Sequence, residues 1–232
     1  MRSAARRCSI RRGTVYWVRF GETAGSEQGG LRPALVIQND IGNRFSPTTL
    51  VLPVTSKTKH RLPTHYMFVD SRGKKQTICA EQVRVVDKSR VESECFRLNE
   101  DQLDGAQRAF EAAVSGLLSN NGDPAIKRGQ IYECMMGKGT GSEETGVCPV
   151  VIVQNDKGNQ YSPTTIVIPL LKPRTQNLPT HARVKLIGRN RVAAAEQVRA
   201  VDKSRLRRFL GTVPSEEMSK VERAINAEIK AG

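Results

Sequence analysis

Apolar and polar positions alternate in short runs through most of this chain, and each half closes on one stretch with helical spacing. Thr14–Phe20 is dense in β-branched and aromatic residues and predicts a strand. A glycine-rich segment from Gly21 to Gly30 follows. Pro33 then opens an apolar strand over Ala34–Gln38, and Thr48–Thr55 predicts a third. Tyr66–Asp70 and Gln76–Val86 read as a hairpin turning at Ser71-Arg72-Gly73-Lys74. Beyond it, Leu103, Ala106, Phe110, Ala113, Val114 and Leu117 share one helical face, with Asn99 as cap and Gln102 placed to complete a capping box. The second half repeats this order with a shorter turn at Gly188-Arg189-Asn190. There Ser215 is the candidate cap, and Met218, Val221, Ile225 and Ile229 form the apolar stripe. Both stripes read as core contacts.

The repetition extends to individual residues. At a constant offset of 116, Gly25-Ser26-Glu27 returns as Gly141-Ser142-Glu143, Gln38-Asn39-Asp40 as Gln154-Asn155-Asp156, and Ser46-Pro47-Thr48-Thr49 as Ser162-Pro163-Thr164-Thr165. After a one-residue deletion, Ala80-Glu81-Gln82-Val83-Arg84 returns as Ala195-Glu196-Gln197-Val198-Arg199. A period this long is outside the roughly 20–50 residues of solenoid repeats, and each unit is long enough to bury a core. Two similar domains follow, at 11–118 and 127–232, with a basic tail at 1–10 and a linker at 119–126. Ser119 to Pro124 has turn-forming chemistry and spans at most about 20 Å, so the domains stay close. The copies disagree where polar chemistry sits: Cys148 replaces Arg32, and Leu171 replaces Thr55.

The chain carries a net charge of +14. It is shared, with 19 Lys/Arg against 13 Asp/Glu through Asp123 and 18 against 10 beyond. A basic balance in both halves fits a polyanionic partner, of which nucleic acid is the commonest. Five cysteines without paired spacing, none aligned between the repeats, argue against an ancestral disulfide or zinc site and fit a reducing cytoplasm. Three histidines are too few for a histidine-rich metal centre, so no metal or other cofactor is expected. The basic N-terminus lacks the apolar segment of a signal peptide, and no apolar run reaches membrane-spanning length, so no membrane contact is expected.

The run Arg12-Gly13 through Gly25-Ser26-Glu27-Gln28-Gly29-Gly30-Leu31-Arg32-Pro33 to Gln38-Asn39-Asp40 resembles the MazF/PemK (Kid) toxins. So do Ile41 to Thr48, Leu62-Pro63-Thr64-His65 and Glu81-Gln82, and the second half resembles the same family more loosely. The resemblance implies a mainly β (α+β) fold: two tandem SH3-like β-barrels of the MazF/PemK/CcdB type, each with a C-terminal helix. Together they would form a single-chain pseudo-dimer. It further implies a sequence-specific, metal-independent endoribonuclease of a toxin–antitoxin system, cutting single-stranded RNA and held inactive by a cognate antitoxin protein. Fold alone does not license that activity, because gyrase-poisoning toxins share the barrel.

Carried over by position, the family's catalytic arginine matches Arg32 and its threonine Thr55. When a 2′-hydroxyl attacks the adjacent phosphate, negative charge builds on a five-coordinate phosphorus, where a fixed guanidinium makes bidentate hydrogen bonds. A threonine hydroxyl can donate to a phosphate oxygen or hold the 2′-hydroxyl. Arginine is a poor base, so Glu27 and His65 are the candidates for moving the proton. The recurrence of His65 as His181 points equally to packing. RNA contacts are expected from Ser26, Gln28, Asn39, Phe45, Lys57, Gln82 and Tyr161. Phe45 and Tyr161 could stack on bases or pack in the core. The glycine-rich loop lacks the Lys-Ser/Thr ending of a nucleotide cradle and reads as a mobile cover over a groove. At the degenerate positions, Cys148 has no fixed guanidinium and no indicated histidine partner, and Leu171 cannot hydrogen-bond. One cleaving site, in the first half, is the expectation. The alternative is a non-catalytic decoy that binds RNA or sequesters antitoxin, for which Arg32 and Thr55 would be unnecessary.

Overall fold

A computed structural model describes residues 10–21, 23–57, 62–70, 72–115, 126–173 and 178–230. The basic tail before Ile10, the linker before Ile126, Leu117 of the apolar stripe and Ser71 of the turn lie outside the described residues. The first half runs β1 (Thr14–Phe20), β2 (Gly30–Val36), α1 (Asp40–Phe45), β3 (Thr48–Thr55), β4 (His65–Val69), β5 (Lys75–Cys79), β6 (Arg84–Asp87), β7 (Val91–Arg97) and α2 (Glu100–Val114). The second runs β8 (Gln130–Gly137), β9 (Gly146–Ile152), α3 (Asp156–Tyr161), β10 (Thr164–Leu171), β11 (His181–Leu186), β12 (Arg189–Ala194), β13 (Arg199–Asp202), β14 (Leu206–Thr212) and α4 (Ser215–Ile229). The fold is mainly β with helices, in duplicate.

Each half is a seven-stranded antiparallel sheet in the order β4-β5-β3-β2-β1-β7, or β11-β12-β10-β9-β8-β14. The hub is β3, entirely buried up to Val54. One edge pairs with β2; the other pairs first with β6 through Thr48–Val51, then with β5 through Val54 and Thr55. Sharing that edge breaks the run expected as one strand from Gln76 to Val86. A 3₁₀ turn at Ala80–Gln82 separates β5 from β6, held by the Ala80 N–H on the Thr64 carbonyl at 3.0 Å. The capping box forms as expected: Asn99 Oδ1 accepts from the Gln102 N–H at 2.9 Å, and Gln102 Oε1 from the Asn99 N–H at 3.1 Å. In the second half Pro214 occupies the cap position without a side-chain bond, and Ser215 is already helical. The hairpin turn there is Ile187-Gly188, with φ of 48° and 71°. The helix α1 and strand β7 had no signal strong enough to predict them.

The two halves share one hydrophobic core. Leu35, Leu50, Leu52, Ile78 and Phe110 belong to the same buried cluster as Ile131, Ile166, Ile168, Leu170, Val221 and Ile225. Each such side chain contributes about 1.5–3 kcal/mol by leaving water. Polar joints repeat reciprocally across it. Asn39 Oδ1 caps α1 through the Gly42 N–H (2.7 Å), while its Nδ2 donates to the Ala227 and Glu228 carbonyls at the end of α4 (2.8 and 3.0 Å). Asn155 does the same for α3 and for the Ala112 and Ala113 carbonyls of α2. Asn39 is therefore a structural joint, not an exposed RNA contact: its amide is already committed to the last carbonyls of a helix, which have no partner within that helix.

The glycine-rich loops are also joints rather than mobile covers. The Ser26 N–H donates to Asp202 Oδ2 at 3.0 Å, and Glu27 accepts from the Asp202 N–H at 2.8 Å. In return, the Ser142 N–H donates to Asp87 Oδ2 at 3.4 Å, and Glu143 accepts from the Asp87 N–H at 2.8 Å. Gly25 and Gly141 sit at positive φ, and a Cβ on either would fall 2.1 or 2.0 Å from the opposing aspartate oxygen.

Glu228 carries a measurable consequence of this packing. It is 2 % exposed, one carboxylate oxygen has no partner, and the first half has Ala113 at its position. Burial, then the nearby Glu196, push its pKa from 4.5 up to about 7, while His181 opposes the shift. Between these values the native protein holds a proton that the unfolded chain has lost, so stability falls as pH rises through this window and stays lowered above it. Glu228→Gln is expected to stabilise the protein by roughly 3 kcal/mol at pH 8. Below pH 4.5 it should gain nothing, and denaturant melts at both pH values measure the difference.

Candidate functional site

A groove of about 540 Å³ opens where the end of β3 in the first half faces α3 of the second. The first half lines it with Gln28, Thr55, Lys57, His65 and Gln82, the second with Lys157, Tyr161 and Ser162 among others. Sequence placement had singled out six of these, and the fold brings all six to one place. Gln82 is also anchored across the halves, its Nε2 donating to Thr164 Oγ1 at 3.1 Å. Ser26 and Phe45 do not line this groove. Phe45 is 76 % exposed, with the Arg44 guanidinium over its ring, and Tyr161 is 71 % exposed. Neither aromatic serves the core.

Arg32 lies on β2 and Thr55 at the end of β3. Ala34 pairs with Pro53 where β2 and β3 meet, and Arg32 and Thr55 each lie two residues beyond that pair along their strands, on the same face as it. The Arg32 guanidinium is pre-aimed by its own loop: Nε donates to the Gly29 carbonyl at 2.7 Å, and Nη1 to Gln28 Oε1. Its Nη2 has no protein partner among the described residues. Arg32 does not line the groove; it bonds Gln28, which does. Thr55 Oγ1 accepts the Lys57 N–H at 3.1 Å, which leaves its hydroxyl proton to donate.

The two acid–base candidates are differently placed. Glu27 is buried in an interface ion cluster, with its oxygens on Arg205 (2.6 Å to Nε) and Arg84 (3.3 Å to Nη1), and so has no lone pair facing the groove. That occupation corrects its expected role. His65 does line the groove, but its Nε2 is bound to Glu81 Oε1 at 3.0 Å. Burial alone would lower its pKa; hydrogen bonds to Cys79 and Glu81 override this and raise it to about 10. At neutral pH it is an imidazolium, unable to accept a proton. At the position of Arg32, the thiol of the second copy is not activated either. Cys148 faces Cys134 across β8 and β9, and burial pushes the two thiols to about 11 and 12, far from thiolates at neutral pH.

Lys157 is a groove residue the sequence reading missed, and the signal was available. At the repeat offset its counterpart is Ile41, which is 61 % exposed. The mirror positions of Lys57 and Gln28 are Pro173 and Glu144. So the groove that holds Thr55 gathers cations from both halves, while the counterparts of Lys57, Lys157 and Gln28 are two apolar residues and an acid.

A family model described as "PemK-like, MazF-like toxin of type II toxin-antitoxin system" matches residues 11–114 and again 127–229. Endoribonuclease EndoA of Bacillus subtilis (strain 168) is 40 % identical over 111 residues, covering 46 % of this chain and 95 % of that protein. Endoribonuclease MazF of Staphylococcus saprophyticus is 36 % identical over 109 residues, covering 45 % and 91 %. The crystal structure of MazF (Form-I) from Deinococcus radiodurans aligns at 27 % identity over 45 % of this chain and 96 % of that one, with a TM-score of 0.42.

Proposed function

Because this chain belongs to the PemK-like, MazF-like family of toxins of type II toxin–antitoxin systems, we propose that it is an endoribonuclease with one working active site, at the groove between its halves. The domains span 11–118 and 127–232 and act as a single-chain counterpart of a toxin homodimer. The substrate is single-stranded RNA, cut at a particular sequence without a metal ion, and a cognate antitoxin is the second partner. The observation that carries the single-site reading is the charge asymmetry: Lys57 and Lys157 line the groove with Thr55, and Arg32 bonds Gln28 on its wall, while Cys148, Pro173 and Ile41 hold the mirror positions of the three cations.

RNA lies along the groove with its backbone between Lys57 and Lys157 and a base against Tyr161, whose exposed ring suits stacking. A phosphate entering beside Thr55 meets its hydroxyl, and the Arg32 guanidinium leaves Gln28 for it as negative charge builds there. The 2′-oxygen attacks the adjacent phosphorus and the 5′-oxygen leaves, giving a 2′,3′-cyclic phosphate and a 5′-hydroxyl. The proton lost by the 2′-hydroxyl ends on the leaving oxygen. Arg32 and Thr55 stabilise the charge that peaks between these states. Mapping fragment ends from a mixed RNA pool in a chelator tests the reaction: cyclic phosphate ends at one recurring sequence are expected, and intact RNA under steep salt-dependent binding would leave only the decoy.

Lys157→Ala isolates the second half's share. It should raise KM with kcat little changed and lower the slope of log binding against log salt by about one. Ile41→Ala, at the mirror position, should do neither. Equal effects of the two substitutions would count against a single groove.

A further inference from the structure

The thiol of Cys79 falls outside the reaction just described, yet strand pairing and the turn after it set it beside two further donors. We propose that His65, Cys79 and Glu81 form a site for a borderline divalent cation of the zinc class, and that its occupation inhibits RNA cleavage. The β4–β5 register places His65 directly opposite Cys79, and the 3₁₀ turn that ends β5 brings Glu81 back to both. An imidazole nitrogen, the sulfur and a carboxylate oxygen all lie within 4.8 Å of one another. Nitrogen, sulfur and oxygen in one set favour zinc over magnesium or calcium, which prefer oxygen alone. Three protein ligands with a fourth position open is the arrangement zinc takes where an exogenous group completes it.

The site is supported from behind. Thr64 Oγ1 donates to Glu81 Oε2 at 2.8 Å, which turns Oε1 toward His65 Nε2. Outer contacts of this kind orient ligands and raise affinity. A dication among the three donors takes the place of the proton held between His65 and Glu81 and displaces the thiol proton, so two protons leave per ion. The second half shows what the thiol adds. His181 and Glu196 keep the same 3.0 Å contact, but the residue opposite His181 is Ala194. The paired imidazole and carboxylate are common to both copies; the third donor exists only in the copy with Arg32 and Thr55.

Inhibition follows from position. All three donors border the groove that holds Thr55, and Thr77, two residues before Cys79 on β5, pairs with Thr55 itself. An ion with an open position there competes for the RNA phosphate and draws the backbone toward β5, away from the guanidinium. The inhibitory effect rests on the ribonuclease reading; the binding site does not, and it is measured without RNA.

The test is a titration of the full-length reduced protein with Co²⁺ and then Zn²⁺, following the thiolate-to-cobalt charge-transfer absorption. One ion per chain is expected for wild type. Cys79→Ala, which copies the natural Ala194, should lose the band and weaken zinc binding at least about a hundredfold. Cys148→Ala should keep both. In cleavage assays, one equivalent of zinc should arrest the wild type but not Cys79→Ala, and a chelator should restore it. A cobalt band that survives in Cys79→Ala overturns the site, and zinc that binds stoichiometrically while cleavage continues overturns the inhibition. Cys79→Ser, close in size, repeats the comparison should the alanine variant prove unstable.

Discussion

Arg32→Ala should lower RNA cleavage by about a thousandfold while leaving the melting midpoint and RNA affinity nearly unchanged. The side chain is partly exposed and, among the described residues, bonded only within its own loop, to Gly29 and Gln28, so its removal strands no buried partner there and should cost little stability. Its proposed work is confined to the transition state, where charge grows on the phosphorus oxygens, so the loss should fall on kcat rather than KM. Arg32→Lys keeps the charge without the planar fork and should recover only part of the rate. Thr55→Ala should show the same pattern more weakly, because one hydroxyl supplies one hydrogen bond. Single-turnover cleavage of a mapped substrate, beside equilibrium binding, separates the two quantities. Cleavage by Arg32→Ala within tenfold of wild type would remove the guanidinium from the mechanism.

The largest effect on the fold belongs to Glu27. Its side chain is 2 % exposed and joins Arg84 of its own half to Arg205 and the Asp202 N–H of the other. Both arginine side chains are themselves largely buried, at 14 % and 12 % exposure. Burial already lowers the Arg84 pKa against the pull of Glu27, and the neighbouring Arg205 lowers it further. Without the carboxylate, two crowded guanidinium groups would face each other unneutralised. Glu27→Ala should destabilise the protein by about 3–5 kcal/mol, a large share of a normal domain's stability. Glu27→Gln keeps the shape and some hydrogen bonds, and should fall between. Chemical denaturation measures the loss, and limited proteolysis should show the halves loosening at the joint. A change below about 1 kcal/mol would mean that water solvates the arginines in place of Glu27.

Much of this was open to reading in the residues. The constant offset carried the duplication, because a repeat at that length can only be a second folded unit. The strand of Thr48–Thr55 was legible to the residue, and so was the Asn99–Gln102 cap, since both depend on neighbours within a few positions. The run from Gln76 to Val86 was not. Its apolar pattern is continuous, and only the competition of β5 and β6 for one edge of β3 inserts the turn. The polar positions Glu27 and Asn39 misled for a related reason. They look like loop groups open to solvent, but their partners lie about 175 to 190 residues away, on Asp202, Arg205, Ala227 and Glu228.

Local chemistry and pattern thus settled that the chain folds twice into nearly the same β-rich unit, and that one copy lacks the arginine and threonine of the other. Which groups share a groove was decided by packing. Lys157 and Tyr161 come to Thr55 through a shared core, and His65 comes to Cys79 and Glu81 through a strand register. Short-range order follows from each residue and its nearest neighbours; the meeting of distant side chains depends on burying apolar surface between two sheets, a property of the whole chain.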